Sequence, residues 1–328
     1  MSDTTANLRR KLDSAGDLQS VVRTMKAIAA SRISQYETSV HALADYYRTV
    51  ELGLGACLRN SEPATWRPAE HGHPDAGGIG AVVFGSDQGL VGQFNQVLAE
   101  YAVKTLAALP GKPEVWAVGE RIHARLADTG LSLVGLLAVP GSVQAIAPLV
   151  GRIQLESEAQ RAKGDYARLY VFHNRPRPGA GYEPVCQRLL PLDAQWQAGL
   201  ANVRWPNGHV PEVMCGGTTT LRALIREYLF ISLFRACAES LASENASRLA
   251  AMQRADKNID ELLESLQGTF HRLRQDSIDE ELFDVVSGYE ALGRARGGVA
   301  APARASAGPP PARPDPAVRG SHRGEGGG

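Results

Sequence analysis

Neither proline nor glycine interrupts residues 17–52, which read DLQSVVRTMKAIAASRISQYETSVHALADYYRTVEL. Apolar residues recur here and just beyond in steps of three and four: Val22, Met25, Ala29, Ile33, Tyr36, Val40, Leu43, Tyr47, Val50 and Leu54. A spacing that averages about 3.5 residues puts one apolar stripe along a helix, the pattern of a coiled-coil partner. We therefore predict a long helix over residues 4–57 that packs against a second helix.

A second stretch, residues 218–292, repeats the pattern. Its apolar seam consists of Leu221, Leu224, Tyr228, Ile231, Ala238, Leu241, Leu249, Met252, Ile259, Leu263, Leu266, Phe270 and Leu273. At about 1.5 Å per residue, one helix of this length could not be contained in a compact domain, so its stripe needs another helix or another protein. Arg32, Asn245 and Asp256 interrupt the seams. Polar residues at such positions either set the register of the two helices or face a changing partner surface.

The middle of the chain, residues 78–192, has a different pattern. Short apolar runs alternate with helical segments, which predicts a small, largely parallel, Rossmann-like α/β domain. The predicted strands cover residues 81–84, 115–118 and 131–139, and a hairpin joins 167–172 to 184–190. We expect the third strand to be buried and to end at a turn marked by Pro140.

A glycine-rich loop, GSDQGLVG at residues 85–92, follows the first predicted strand. Such a turn before a helix can cradle a phosphate on its backbone N–H groups. However, its glycine spacing matches neither the dinucleotide fingerprint nor the phosphate loop, and no lysine follows Gly92. The favoured interpretation is a structural turn in which Asp87 caps backbone N–H groups.

Composition limits the possible functions. The formal net charge of the 328 residues is zero at pH 7, which argues against nucleic acid as a partner. The four cysteines show no metal-ligand spacing and are interpreted as reduced, buried thiols. His71 and His73 are interpreted as solvated loop residues rather than metal ligands. We find no catalytic set, no cofactor motif and no membrane span, and we expect residues 293–328 to be a disordered tail.

Three ordered motifs resemble the gamma subunit of F-type ATP synthases. The first is VRTMKAIAASR at residues 22–32, the second is SDQGLVGQFN at 86–95, and the third is SENASRLAAM at 243–252. RQDSIDEE at 274–281 and VSG at 286–288 complete the similarity, which extends over about residues 8–292. The resemblance implies a non-catalytic rotor stalk in which the two terminal helices form a long antiparallel coiled coil that flanks the α/β domain.

The resemblance also implies partners and a location. The coiled coil would stand inside a head of alpha and beta subunits, and the α/β domain would lie near the epsilon subunit and the c-ring of the membrane sector. Rotation of the stalk would couple ion flow to ATP synthesis or hydrolysis. The complex would sit on the cytoplasmic face of a bacterial inner membrane, with this chain attached peripherally.

The same resemblance implies contact residues. Met25, with Arg23 and Lys26, matches the family's contact with an acidic loop of the catalytic subunit. Arg248, Arg274 and Gln275 match residues that hydrogen-bond the surrounding head.

Some positions depart from the family pattern. Asp279 stands where the family commonly has threonine, and Val91, Gln93 and Phe94 replace the usual Cys, Gly and Leu. These departures favour an outlying branch, such as an alternative or sodium-coupled type. Two other interpretations of the sequence stay open: a Rossmann-like nucleotide-binding protein with coiled-coil arms, and an unrelated coiled-coil scaffold.

Overall fold

A computed structural model describes residues 4–60, 78–163, 168–177, 181–192, 194–203, 205, 209, 211–213 and 217–296. The chain divides into two units, the first ending at Thr269 and the second beginning at Phe270. The predicted histidine loop around His71 and the tail beyond residue 296 lie outside the described residues, as does Cys215.

The described residues form six helices, a short 3₁₀ turn and five strands. The helices are α1 (Thr5–Asn60), α2 (Phe94–Ala107), α3 (Glu120–Ala127), α4 (Ile146–Lys163), α5 (Ala194–Asn202) and α6 (Gly217–Arg296), with a short 3₁₀ turn at Val143–Ala145. The strands are β1 (Ile79–Phe84), β2 (Pro113–Val118), β3 (Ser132–Leu137), β4 (Arg168–Arg177) and β5 (Gly181–Leu190). This order confirms the predicted class: an α/β domain flanked by two long terminal helices.

The two long helices run antiparallel within the first unit. Cross-helix hydrogen bonds join Lys26 to Asp256 and Tyr46 to Glu227. The later residue of α1 therefore pairs with the earlier residue of α6, as it must when two helices are antiparallel. Most buried residues of α1 lie on a seven-residue repeat, Leu8, Ala15, Val22, Ala29, Tyr36 and Val50, with the partly buried Leu43 at the intervening position. A strict seven-residue repeat is the pattern that keeps one face of a helix against its partner.

The five-stranded sheet has the order β3-β2-β1-β4-β5. Strands β1 to β4 are parallel to their neighbours, and β5 pairs antiparallel with β4 in the predicted hairpin. The prediction of a buried third strand is wrong. Strand β3 is an edge strand, and its alternate residues Ser132, Val134 and Leu136, which share one face of the sheet, are exposed.

Helices cover both faces of the sheet. Ile79, Ala81 and Val83 of β1 pack with α2 and α3, whereas the alternate residues Val82 and Phe84 pack with α4 and α6. This alternation is the two-residue period of a strand buried on both faces. Helices α4 and α5 were not predicted from the sequence.

The centre of α6 belongs to both the coiled coil and the sheet domain. Residues 236–245 are all buried, nearly three helical turns. Three serine hydroxyls on this part of the helix donate to main-chain oxygens of the α/β domain: Ser240 to Phe84, Ser243 to Asn174 and Ser247 to Val91. The α/β domain is therefore attached to the middle of the helix rather than to its end.

Two of the four cysteines, Cys57 and Cys237, are buried, as expected, while Cys186 is only partly buried, and none of these three forms a disulfide. None of the described helices contains a stretch that is both long enough and apolar enough to cross a lipid bilayer. Within the described residues, no group of acidic, histidine or cysteine side chains is arranged to hold a metal ion.

Candidate partner interface

Met25 lies in a small apolar contact between α1 and α6. Its side chain packs against a cluster formed by Val22, Met252 and Ile259. The heptad pattern places these side chains here, because Val22 and Met25 fall on the buried stripe of α1. Met25 is only partly buried, so one side of it remains available beside the helix pair.

Arg23 and Lys26, the two basic residues predicted to join Met25 in its contact, form a basic edge that is tied to an acidic residue of α6. Asp256 accepts hydrogen bonds from Arg23 Nε at 3.2 Å and from Lys26 Nζ at 2.9 Å. The hydrogen bond from Lys26 holds the pKa of Asp256 below its usual value, against the opposing effect of burial, and Arg23 adds to the lowering. Asp256 is the polar seam residue of the sequence pattern, and it bridges the two helices.

The side chains of Arg23 and Lys26 both remain partly exposed to solvent. The Arg23 side chain is 58% exposed and that of Lys26 is 38% exposed, against 13% for Asp256. A guanidinium has five N–H donors, and Asp256 takes only one of those of Arg23. Arg23 also lies 3.6 Å from a carboxylate oxygen of Asp260. An acidic partner loop would therefore meet a basic edge whose charge is already partly balanced within the chain.

Arg248 is buried, unlike Arg23 and Lys26. Its Nη2 lies 2.6 Å from Oε1 of Glu244, one turn earlier on α6, and both side chains are less than a tenth exposed. Burial raises the pKa of Glu244, and the charge and hydrogen bond of Arg248 oppose that effect. The Nε of Arg248 has no hydrogen-bond partner within the described chain. The main contact of this arginine is thus internal.

The glycine-rich loop is held by Asp87, as predicted. Its two carboxylate oxygens each accept a backbone N–H at 3.0 Å, one from Glu120 at the start of α3 and one from Val139 after β3. Ser86 is fixed in turn by Asn95, whose Oδ1 accepts its N–H at 3.0 Å. Asp87 thus ties the glycine-rich loop to the start of α3 and to the end of β3, which is the structural role predicted for it.

The second unit carries the remaining predicted contacts, at the end of α6. Arg274, Gln275 and Asp279 are all exposed. Large apolar side chains are exposed in the same segment: Ile278, Leu282, Phe283, Val285, Val286, Tyr289 and Leu292. Most of these follow the seven-residue repeat 278, 282, 285, 289, 292, so they form one stripe along the helix. A contiguous exposed apolar stripe marks a surface that binds another protein.

A model of the ATP synthase family matches residues 4–292, which is nearly all of the described chain. The chain belongs to the ATP synthase gamma-subunit family. Its similarity to the ATP synthase gamma chain of Dechloromonas aromatica (strain RCB) is 25% identity over 293 residues. That alignment covers 87% of this chain and 98% of the relative.

Solved structures support the fold of this gamma-family chain. A chain of the OSCP/F1/c-ring structure of Euglena gracilis mitochondrial ATP synthase matches with a TM-score of 0.60 and 15% identity, over 90% of this chain and 97% of that one. A central stalk and c-ring structure from Tetrahymena thermophila matches with a TM-score of 0.51 and 18% identity, over 72% and 99% of the two chains. The resemblance in sequence and the likeness in fold therefore agree.

The structure groups the seven predicted contact residues of the gamma-family chain into three places. Arg23, Met25 and Lys26 lie together, Arg248 lies apart in a buried ion pair, and Arg274, Gln275 and Asp279 belong to the second unit. Sequence reasoning missed Glu244, although a spacing of four residues before Arg248 is the signal of a helical ion pair. It also ended the α6 seam at Leu273, while the apolar repeat continues to Leu292.

Proposed function

We propose that this gamma-family chain is the central rotor stalk of an F-type ATP synthase and couples ion flow through the membrane sector to ATP synthesis or hydrolysis in the catalytic head. The observation that carries the proposal is the exposed apolar stripe from Ile278 to Leu292. A helix end with this surface is stabilised only inside a complementary apolar sleeve. The alpha and beta subunits of the head are the partners that would supply the sleeve.

The α/β domain would serve the other end of the complex. The Tetrahymena match is a central stalk and c-ring structure and the Euglena match is an OSCP/F1/c-ring structure, which supports a place for this domain near the c-ring. The epsilon subunit is inferred as its neighbour from the family resemblance alone. The complex would lie at the cytoplasmic face of a bacterial inner membrane, with this chain attached peripherally.

The stalk itself performs no ATP chemistry in this proposal. It acts through contacts that change as it turns. At each rotor angle, these contacts stabilise one conformation of a catalytic subunit over the others. Arg23, Met25 and Lys26 form the first contact zone, while Arg274, Gln275 and Asp279 form another. Arg248 acts mainly through its buried ion pair with Glu244, which precedes the first zone along α6.

The experiment replaces apolar residues of the stripe in the purified complex. Leu282→Asp and Tyr289→Asp should lower ATP-driven ion pumping more than ATPase activity, because the stalk end would slip in its sleeve. Asp284→Asn changes a charge on the opposite face of the same turn and serves as the matched control. Wild-type pumping by both stripe variants would refute the proposal.

A further inference from the structure

A cavity of about 140 Å³ lies between α1, the β4–β5 hairpin and α6, away from the contacts of the proposed function. His173 and Ser232 line it and are 1% and 3% exposed. The Nδ1 of His173 and the Oγ of Ser232 have no hydrogen-bond partner within the described part of the chain. Buried polar atoms are nearly always paired, so two such atoms in one cavity point to an occupant.

Charge surrounds these two groups. Glu239 accepts hydrogen bonds from His173 Nε2 at 2.8 Å, Arg235 Nε at 2.7 Å and Arg175 Nε at 3.3 Å. Arg175 and Arg235 each carry one positive charge and Glu239 carries one negative charge. These three groups therefore sum to one net positive charge when the imidazole is neutral. The lining residues therefore carry one net positive charge, which the Glu51 carboxylate near Arg235 and Tyr47 partly offsets from outside the lining.

The two arginines form the rim of the cavity. Their side chains are 45% and 48% exposed, whereas His173 and Ser232 are buried, so the charged groups stand where the cavity meets solvent. Each guanidinium reaches Glu239 through Nε. No hydrogen bond engages their Nη groups among the described residues, and these planar donors suit an oxyanion.

The protonation of the imidazole follows from its partner. A carboxylate only accepts hydrogen bonds, so Nε2 of His173 carries the proton shared with Glu239, and Nδ1 of the neutral ring is an acceptor. Burial lowers the pKa of His173, and Glu239 opposes that effect. The occupant must thus offer a proton to Nδ1 at the floor and negative oxygens to the guanidinium groups at the rim.

We propose that this cavity binds a phosphate ion. Its negative oxygens would accept hydrogen bonds from the Nη groups of Arg175 and Arg235 and from the Ser232 hydroxyl, and its P–OH group would donate to His173 Nδ1. The volume would hold about four or five water molecules at roughly 30 Å³ each, enough for one tetrahedral ion. It is too small for a nucleotide, since ligand pockets typically measure roughly 300–1,000 Å³.

The experiment is an NMR titration of the purified full chain labelled in its histidine rings. His173→Gln assigns the signal of His173. Phosphate should shift that signal saturably, and sulfate at the same ionic strength should bind more weakly, because it has no proton to donate to Nδ1 at neutral pH. Chloride should leave the signal unchanged.

Matched variants locate the binding site. Arg235→Gln and Arg175→Gln should each weaken phosphate binding about tenfold or more, the effect expected for a hydrogen bond to a charged group. Ser232→Ala, which removes a single hydroxyl and preserves the packing, should weaken it several-fold. Arg177→Gln is the control, because Arg177 lies on the same strand but pairs with Glu183 outside the cavity.

Two results would overturn the proposal. One is a His173 signal that does not respond saturably to phosphate, which would mean that water alone fills the cavity. The other is equal phosphate affinity in the Arg235→Gln, Arg175→Gln and Arg177→Gln proteins. The titration uses this chain alone, so its outcome is independent of the pumping experiment on the complex.

Discussion

Nζ of Lys26 on α1 lies 2.9 Å from a carboxylate oxygen of Asp256 on α6. This ion pair crosses the antiparallel helices beside Met25, in the zone proposed to meet an acidic loop of a catalytic subunit. The same carboxylate therefore both fixes the register of the two helices and competes with that partner for the cations.

We expect Asp256→Asn to lower the melting temperature of the chain slightly and to reduce the salt dependence of its stability. The reason is that Arg23 and Lys26 lose a charged acceptor while their exposed sides stay hydrated. Thermal unfolding at low and high salt measures the effect. Asp260→Asn, whose carboxylate is far more exposed, is the control, and equal salt dependence in all three proteins would contradict the prediction.

Replacing Arg248 by methionine should destabilise the fold by about 3 kcal/mol, because it leaves the buried carboxylate of Glu244 without its cation. Adding Glu244→Gln should restore part of the loss. Urea unfolding of the single and double variants measures both steps. Lys257→Met, in an exposed pair with Glu261 on the same helix, should change stability by less than about 0.5 kcal/mol. If Arg248→Met and Lys257→Met lower the free energy of unfolding by the same amount, Arg248 has no special structural role.

Asp87→Ala should destabilise the α/β domain by about 2–3 kcal/mol. The substitution leaves the N–H groups of Glu120 and Val139 without their carboxylate acceptor. The free energy of unfolding in urea tests this, with the exposed Asp128→Ala at the end of α3 as control. Unchanged stability would show that water replaces the carboxylate without loss.

The His173 cluster should make stability sensitive to acid. Burial lowers the pKa of His173, so the unfolded chain binds a proton that the folded chain excludes, and stability falls as pH drops below about 6.5. Burial alone would raise the pKa of Glu239, but hydrogen bonds from His173 and Arg235 outweigh it and lower that pKa to about 2. A further loss therefore begins below about pH 4.3, where the unfolded carboxyl takes up its proton. Arg175 and Tyr47 also face this cluster.

His173→Gln should remove the first of these losses. Urea midpoints measured between neutral and mildly acidic pH in phosphate-free buffer report the change, and the exposed His41→Gln serves as the control. If the urea midpoint of the His173→Gln protein falls with pH as steeply as that of the wild type, the acid sensitivity does not come from His173.

Arg274→Ala and Gln275→Ala should leave the complex assembled but slow its turnover several-fold. Both side chains are exposed at the end of α6, so their loss removes hydrogen bonds to the head without disturbing a core. Steady-state ATPase and ATP-driven pumping of the purified complex are the measurements. Arg272→Ala changes an exposed arginine in the same segment, and a loss equal to that of Arg274→Ala would mean that charge alone matters.

The sequence pattern was sufficient for the long helices, the hairpin and the role of Asp87, because each depends on local spacing. It was insufficient for α4, a helix that begins close to a proline. Pro148 lies in the first turn of that helix, where its missing N–H has no helical partner to lose. The cavity at His173 could not be predicted, because strand β4 and helix α6 meet there from positions 66 residues apart.

The ten consecutive buried residues at the centre of α6, with their three serine hydrogen bonds, bear on how the molecule carries torque. A helix enclosed on every side cannot turn about its own axis without dragging the sheet that surrounds it. The α/β domain and this part of the coiled coil must therefore twist as one body. Elastic compliance in the rotor would then be confined to the helical stretches on either side of residues 236–245.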